Sequence, residues 1–294
     1  MTGGLRPADI VRLLILAAIW GGSFIFIRVL SPVIGPVPTA ASRVLIGGVA
    51  IIAYAALRRN AAQLSRFGGA YVVIGIVNSA IPFVLFGFAA LHLPASYLGI
   101  LNSATPLFAT LLAAVWLDEP LTRTKLAGMA CGVAGVALVS KAGPVVPDAM
   151  FGWAIAASLG AAFCYAAAGI YLRKRAADAP AMAVAGWSQL AAAAVLVPIV
   201  FAAPVASAWP AWGNPAVLGN VLALGLVCSG VAYLLYYRLM RDVGPTRTLT
   251  VTFLIPLFGM LWSALFLSET ITAPMIGGCA LIIGGTLFVL RRNY

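Results

Sequence analysis

The chain has 294 residues, of which 63% are hydrophobic and only 9% charged, with a mean hydropathy of +1.06; a soluble domain has roughly 45–50% apolar and about 25% charged residues. So little charge cannot cover the core that a chain of this length would bury, which excludes a water-soluble fold and leaves lipid as the solvent for most of the surface. The formal charge of +11 does not point to nucleic acid as a partner, because the basic residues fall in short groups between apolar runs, the pattern that orients a membrane protein.

A helix that crosses a bilayer needs about 20 apolar residues, and ten segments meet that requirement. The first, Ile10 to Leu30, follows Arg6 and Arg12 and is too long for a signal-peptide core, so it is predicted to stay as a span; it carries Trp20 and Ser23 on one face and Arg28 near its end. Arg43 lies near the start of the second, Thr39 to Leu57. The third, Gly69 to Leu91, holds Asn78 and Ser79 just before Pro82, and the fourth, Pro94 to Trp116, holds Asn102 four residues before Pro106. Thr122 to Val139 is the fifth. Phe151 to Leu172 brings Tyr165, and Ala181 to Ala203 brings Trp187 and Gln189 near mid-depth. In the eighth, Ala216 to Arg238, Ser229, Tyr233, Tyr236 and Tyr237 follow one helical stripe. Thr246 to Leu267 contains Thr252 four residues before Pro256, and Thr272 to Leu290 completes the set.

Connections between these segments are short, which leaves no room for a soluble domain. Fifteen Lys and Arg fall in one set of alternate loops and termini, among them Arg58, Arg59, Arg66, Arg173, Arg291 and Arg292, whereas the other set holds Lys141 alone. The positive-inside rule then puts both termini in the cytoplasm. Trp153, Trp209 and Trp212 in outer loops fit the aromatic belt of a membrane interface. Four cysteines lie inside apolar stretches without CxxC spacing and read as small buried hydrophobes, so neither a metal nor another cofactor is called for.

The chain also repeats itself. A shift of 150 residues aligns Gly75 to Val139 with Gly225 to Val289 without a gap, with sixteen of 65 positions identical. Apolar composition aligns leucines by chance, but not readily a proline and a glutamate thirteen residues apart in both copies: Pro106 with Pro256, Glu119 with Glu269. Five spans per half is an odd number, so the second copy enters the bilayer from the opposite side. The prediction is an all-α integral membrane protein of ten transmembrane helices, built as two five-helix inverted repeats over residues 1–145 and 146–294. Such a construction is typical of secondary transporters, with the site at the midplane between the halves.

LALGLVCSGVAYLLYY (Leu222 to Tyr237), VGPTRT and the proline-to-glutamate stretch ending in SET resemble the EamA-type repeat of the drug/metabolite transporter superfamily. WGGSFIFIR (Trp20 to Arg28) and SRVL around Arg43 are similar to the starts of the first two spans in that family. The resemblance covers both halves, looks strongest to the YddG-type amino acid exporters, and implies a carrier of the bacterial inner membrane. One departure matters: the four-span multidrug members carry a membrane-embedded glutamate, whereas all seven acids here (Asp9, Asp118, Glu119, Asp148, Asp178, Asp242 and Glu269) lie in loops or at span ends.

Trp20, Ser23, Asn78, Ser79, Asn102, Tyr165, Trp187, Gln189, Ser229, Tyr233 and Thr252 are the candidate cavity residues. A lone Trp in a span is ordinarily packing, yet Asn78 and Gln189 would cost several kcal/mol unpaired against lipid and should point inward. Tyr236 and Tyr237, near a span end, read as interfacial anchors. Pro82, Pro106 and Pro256 mark kinks or gating points; Pro106 and Pro256 free the carbonyls of Asn102 and Thr252 for a packed neighbour or for a cavity. Arg28 and Arg43 either snorkel to headgroups or attract a carboxylate, and His92 in an outer turn is a surface residue. Glycines in the fifth and tenth spans are small-xxx-small packing sites within or between subunits; monomer and homodimer both remain open.

These residues predict an exporter of amino acids, the aromatic and other large neutral ones first, or of related metabolites, working by alternating access without proton coupling. The partners are then a small-molecule substrate and the lipid bilayer, with no nucleic acid. A carrier of sugar phosphates or nucleotide sugars is the alternative, and would want several basic residues converging at depth. An intramembrane enzyme is disfavoured: the CSG at Cys228 to Gly230 lacks the first glycine of a GxSG nucleophile motif, and the single histidine lies in a turn. No ring of charges or filter motif suggests a channel.

Overall fold

The computed structural model describes residues 6–58, 63–142, 145, 148–202, 209–248 and 250–290. Arg59, Arg291, Arg292 and Ala203, and part of the junction between the two predicted halves, lie outside them. Most of the described residues are helical and none lies in a strand. The helices are α1 (Pro7–Ile34), α2 (Pro36–Leu57), α3 (Leu64–His92), α4 (Ala95–Trp116), α5 (Arg123–Ala142), α6 (Phe151–Arg175), α7 (Ala181–Ala202), α8 (Pro215–Val243), α9 (Val251–Leu267) and α10 (Ala273–Leu290). Eight of them are long and apolar enough to cross a membrane; α9 is shorter, at 17 residues, and α5 carries Arg123, Lys125 and Lys141 within its 20 residues. Apolar side chains lie on all sides of these helices, and many large ones remain exposed, Leu57, Val133, Phe201 and Phe266 among them. That is the surface a multi-pass membrane protein presents to lipid.

Between α1 and α2 the chain turns in a single residue, Gly35, at φ +90°. Glycine pays no steric penalty there, and Pro36 starts the next helix with its φ already set and no N–H to satisfy. Trp153 is not in a loop: it occupies the first turn of α6, fully in contact with the surroundings at 68% exposure. His92 likewise ends α3 rather than lying in a turn, with Nδ1 3.9 Å from an Asp148 oxygen.

Local geometry repeats at the same 150-residue interval as the sequence. α3 carries a π turn at Ile76–Ala80, and α8 carries one at Ala223–Val231, which contains the equivalent positions. Asp118 and Ser268 both adopt left-handed backbone, φ +55° and +54°, and the next residue's N–H bonds the equivalent carbonyl in each, Glu119 to Ala113 and Glu269 to Ser263, both at 3.2 Å. The principal helix pairs are α1–α9 and α4–α6, α3–α6 and α1–α8, α2–α8 and α3–α7, with α2–α7, α4–α9 and α5–α10. Exchanging each helix with the one five places on turns this set of pairs into itself.

α5 and α10 meet through glycines. A β-carbon on Gly128 would stand 2.5 Å from the Gly285 carbonyl oxygen, and one on Gly278 2.8 Å from that of Gly135. Backbones this close gain dispersion along the whole crossing, the small-xxx-small logic of helix pairs in lipid. The remaining eight helices surround a central cavity.

Candidate functional site

The cavity has a volume of about 340 Å³, in the range of small-molecule sites. Every helix except α5 and α10 contributes to its wall. Its lining extends to Leu172, Val184, Tyr236 and Tyr237, within about a turn or two of Arg173 and Arg238, so it reaches toward the arginine-rich end of the molecule. A second cavity of about 880 Å³ continues from it at that end, sharing Tyr237 and bordered by Arg58, Arg238 and Arg241.

The opposite end is closed in three layers. Phe24 of α1 and Phe86 of α3 meet edge to face, ring centroids 5.4 Å apart. Above them the Arg28 guanidinium donates to the Ala90 carbonyl. The outermost layer is Glu269, in the α9–α10 loop, which accepts from the backbone N–H of Ala95 (2.7 Å), the N–H of Ser96 (3.1 Å) and the Ser96 hydroxyl (2.7 Å). A carboxylate at the first turn of α4 satisfies donors that have no intrahelical partner and opposes the positive pole of the helix. Its counterpart Glu119, at the arginine-rich end, is held by Arg173 at 2.8 Å and Lys125 at 3.6 Å.

Of the residues singled out from sequence, the cavity brings together Trp20, Ser23, Asn78, Asn102, Tyr165, Tyr233 and Thr252. Trp20 packs its ring against Tyr233 (centroids 6.1 Å) and Tyr236 (5.4 Å). Four others are elsewhere. Trp187 packs with Phe67, Tyr71 and Ile74 between α3 and α7, the packing role that a lone Trp ordinarily has. Ser79 and Gln189 are fully buried behind the wall, where neither side chain has a hydrogen-bond partner; Gln189 is wedged where Gly47 of α2 approaches Ser229. Ser229 is also behind the wall, but it accepts a hydrogen bond from Arg43.

The two arginines divide. Arg28 serves the closed end. Arg43 lines the cavity at 7% exposure, its guanidinium carbon 3.9 Å from the centre of the Phe83 ring and its Nε 3.2 Å from the Ser229 hydroxyl oxygen. Stacking on an aromatic face is worth about 1–2 kcal/mol when desolvated, far less than the charge loses by leaving water.

Tyr236 and Tyr237, read as interfacial anchors, are cavity residues. They share the stripe of Tyr233, and the cavity runs toward the arginine-rich end as far as their depth, so lying near a span end does not keep them out of its wall. Pro106 stands in the first turn of the second segment of α4, Thr105–Trp116: the helix loosens at Ser103 and Ala104 before it, and the Asn102 carbonyl accepts the Thr105 hydroxyl at 2.7 Å.

By contrast Pro256 lies inside α9, and Pro82 follows directly on the π turn of α3. None of the three lines the cavity. All four cysteines are free; Cys228 and Cys279 are buried and Cys131 and Cys164 half-buried.

The model of the EamA-like transporter family matches residues 9–141 and 152–291, nearly the whole chain, and the chain therefore belongs to that family. Among curated relatives, the "Uncharacterized transporter YvbV" of Bacillus subtilis is 24% identical over 95% of this chain and 90% of its own. The "Probable terminal-alkyne amino-acid exporter" of Streptantibioticus cattleyicolor is 24% identical over 93% and 90%. The "Probable amino-acid metabolite efflux pump" of Escherichia coli is 25% identical over 94% and 93%. A solved crystal structure, 22% identical and covering 97% of each chain, superposes with a TM-score of 0.67, which shows a shared fold.

Proposed function

We propose that this member of the EamA-like family is a secondary transporter of the bacterial inner membrane that exports amino acids, aromatic and large neutral ones first, or related metabolites, by alternating access and without proton coupling. The observation that carries the reading is the central cavity, walled by helices of both halves, reaching toward one end and barred at the other. The names of the relatives in Streptantibioticus cattleyicolor, a probable terminal-alkyne amino-acid exporter, and Escherichia coli, a probable amino-acid metabolite efflux pump, support the cargo class. A sugar-phosphate carrier is less well served, since Arg43 is the one cation among the residues that line the central cavity.

In this reading the halves 1–145 and 146–294 are inverted repeats, all ten helices cross the bilayer, and both termini and the arginine-rich end are cytoplasmic. The exchange symmetry of the helix pairs and the recurrence of π turns and left-handed residues at 150-residue spacing support it. The structure then corresponds to the state open to the cytoplasm. In the opposite state Glu119 does for the chain at positions 245 and 246 what Glu269 does here for Ala95 and Ser96, and Glu269 lets go. Cysteine labelling in intact cells should place Lys141 and Glu269 outside, and Arg58, Glu119 and Arg173 inside; Glu119 and Glu269 on one side would end the inverted-repeat reading.

Coupling follows from what lines the pathway. A proton antiporter needs a group that binds proton and substrate in turn, ordinarily a carboxylate or a histidine, and the residues lining the central cavity include neither. In proteoliposomes with the membrane potential clamped, a neutral aromatic amino acid should therefore equilibrate and stop, whether or not a pH difference is imposed. Accumulation against its gradient that a protonophore abolishes would overturn the uncoupled mechanism.

A further inference from the structure

We infer that the cavity recognises its cargo through one anionic group and makes no demand for an amino group. Its substrate class then extends to aromatic and large apolar carboxylates that lack the α-ammonium, such as 2-hydroxy acids, and it holds them more tightly than the corresponding amino acids. The inference rests on the export reading above and narrows it.

The argument begins with Arg43. A guanidinium has five N–H donors, and the structure accounts for one, Nε to Ser229, with Phe83 beneath the plane. No carboxylate stands among the residues lining the cavity. The acids that bond basic groups do so at the ends of the molecule: Asp9 and Asp242 with Arg12, Glu119 with Arg173, Asp178 with Arg66. A buried charge with a hydroxyl and a ring for company is expensive, and a carboxylate that arrives with two oxygens in fork geometry removes most of that expense.

The charge is also single. Arg43 of α2 is the one Lys or Arg among the lining residues, and α7, packed against α2, brings Ser188 to the lining. One half supplies a cation and the other a hydroxyl, so a monoanion leaves the site neutral and a dianion does not.

An amino acid brings a second charge. Its ammonium would enter a cavity whose lining has no acid to receive it, and with the carboxylate on Arg43 the complex would keep a net charge of +1. The acceptors among the lining residues are uncharged: the side-chain amides of Asn78 and Asn102, the latter with a buried oxygen that has no hydrogen-bond partner, and the hydroxyls of Ser23 and Ser188. A neutral acceptor takes a hydroxyl as readily as an ammonium, without the cost of burying the unpaired cation. The rest of the cargo meets the rings of Trp20, Tyr165, Tyr233 and Phe86, a wall suited to an aromatic or bulky apolar body. At the mouth, Arg58, Arg238 and Arg241 border the second cavity and set a positive field that draws anions toward the entrance.

Three probes of one shape separate the charges: phenyllactate (carboxylate only), phenylalanine (both) and phenethylamine (ammonium only). They are presented to the full chain in proteoliposomes in counterflow, and in detergent by ligand-induced thermal shift. Phenyllactate is expected to exchange and to bind about tenfold more tightly than phenylalanine, and phenethylamine to do neither. Arg43→Gln should abolish the response to phenyllactate, and Arg43→Lys should keep part of it. Phenylalanine moved without phenyllactate, or phenethylamine bound as well as phenyllactate, overturns the inference while the export reading stands. If none of the three moves, nor any member of an amino acid panel, the export reading itself falls and takes the inference with it. The comparison of probes on the unaltered protein decides the matter even if the Arg43 variants fail to fold.

Discussion

Glu269→Ala is expected to shift the protein from the state open at the arginine-rich end to one open at the other. The carboxylate accepts three hydrogen bonds from the first turn of α4, and it is charged where the helix pole is positive. Bonds of that kind are worth about 1.5–3 kcal/mol each in net terms, and a bistable carrier whose states compete loses all three only in this state. Even about 3 kcal/mol moves the ratio of the two states on the order of 100-fold. Leu101→Cys is the reporter for the closed end: Leu101 lies two turns into α4 and has no solvent exposure. Tyr237→Cys reports the open end, since Tyr237 borders both cavities. In a background without the four native cysteines, Glu269→Ala should raise labelling of Leu101→Cys by a membrane-impermeant reagent and lower that of Tyr237→Cys. Glu119→Ala should do the reverse, because the ion pairs it loses here, with Arg173 and Lys125, are solvent-exposed and worth little. Equal labelling in all four combinations, or both glutamate variants shifting one way, would sink the exchange of caps.

The pairing of those two glutamates was legible in the sequence for a physical reason. Proline and glutamate are rare inside apolar segments, so Pro106–Glu119 and Pro256–Glu269 stand out against leucine and alanine, and their backbones duly repeat. What Glu269 touches was not legible. Its partners Ala95 and Ser96 lie more than 170 residues away in the chain, and a helix start offers the same backbone donors whatever its side chains are. The helices themselves could be read to within a few residues from length and hydropathy, as with Phe151–Arg175 against Phe151 to Leu172. The split of α4 at Ser103 and Ala104 comes just before Pro106, the residue that the sequence marks as a kink, whose missing N–H leaves the Asn102 carbonyl without its intrahelical partner.

The cavity was half legible. Polar side chains in lipid must turn inward, which found Asn78 and Asn102, but inward is not the same as facing the cavity: Gln189 and Ser79 turn inward to helix contacts. α7 is apolar nearly all round, so no stripe distinguishes the face of Trp187, on α3, from the face of Ser188, on the cavity. For Arg43 the choice between headgroup and cavity depends on how deep α2 sits and what covers it. Phe83 and Ser229 supply that answer from two other helices.

Valine at Gly128, Gly135, Gly278 or Gly285 is expected to destabilise the protein strongly, whereas valine at Gly284 should be nearly neutral. α5 and α10 contribute no residue to the cavity lining, so their crossing is a test of architecture apart from transport. A β-carbon would stand 2.5 Å from a carbonyl oxygen at Gly128, 2.6 Å at Gly135 and 2.8 Å at Gly278. The obstacle in each case is backbone of the facing helix, which yields only if the helices separate, and separation surrenders the dispersion contacts along both. At Gly284 nothing lies within 4 Å. Overpacking costs about 1–3 kcal/mol where side chains can give way, so contact with backbone should exceed the upper figure. Thermal unfolding in detergent would measure this, with substrate affinity of the folded fraction unchanged. The Gly128 contact with Gly285 maps onto that of Gly278 with Gly135 under the 150-residue shift, so Gly128→Val and Gly278→Val should lower the midpoint by similar amounts. A wide disparity between those two, or a Gly284→Val variant as unstable as Gly285→Val, would show that the glycines do not hold α5 and α10 together in the symmetric way their positions imply.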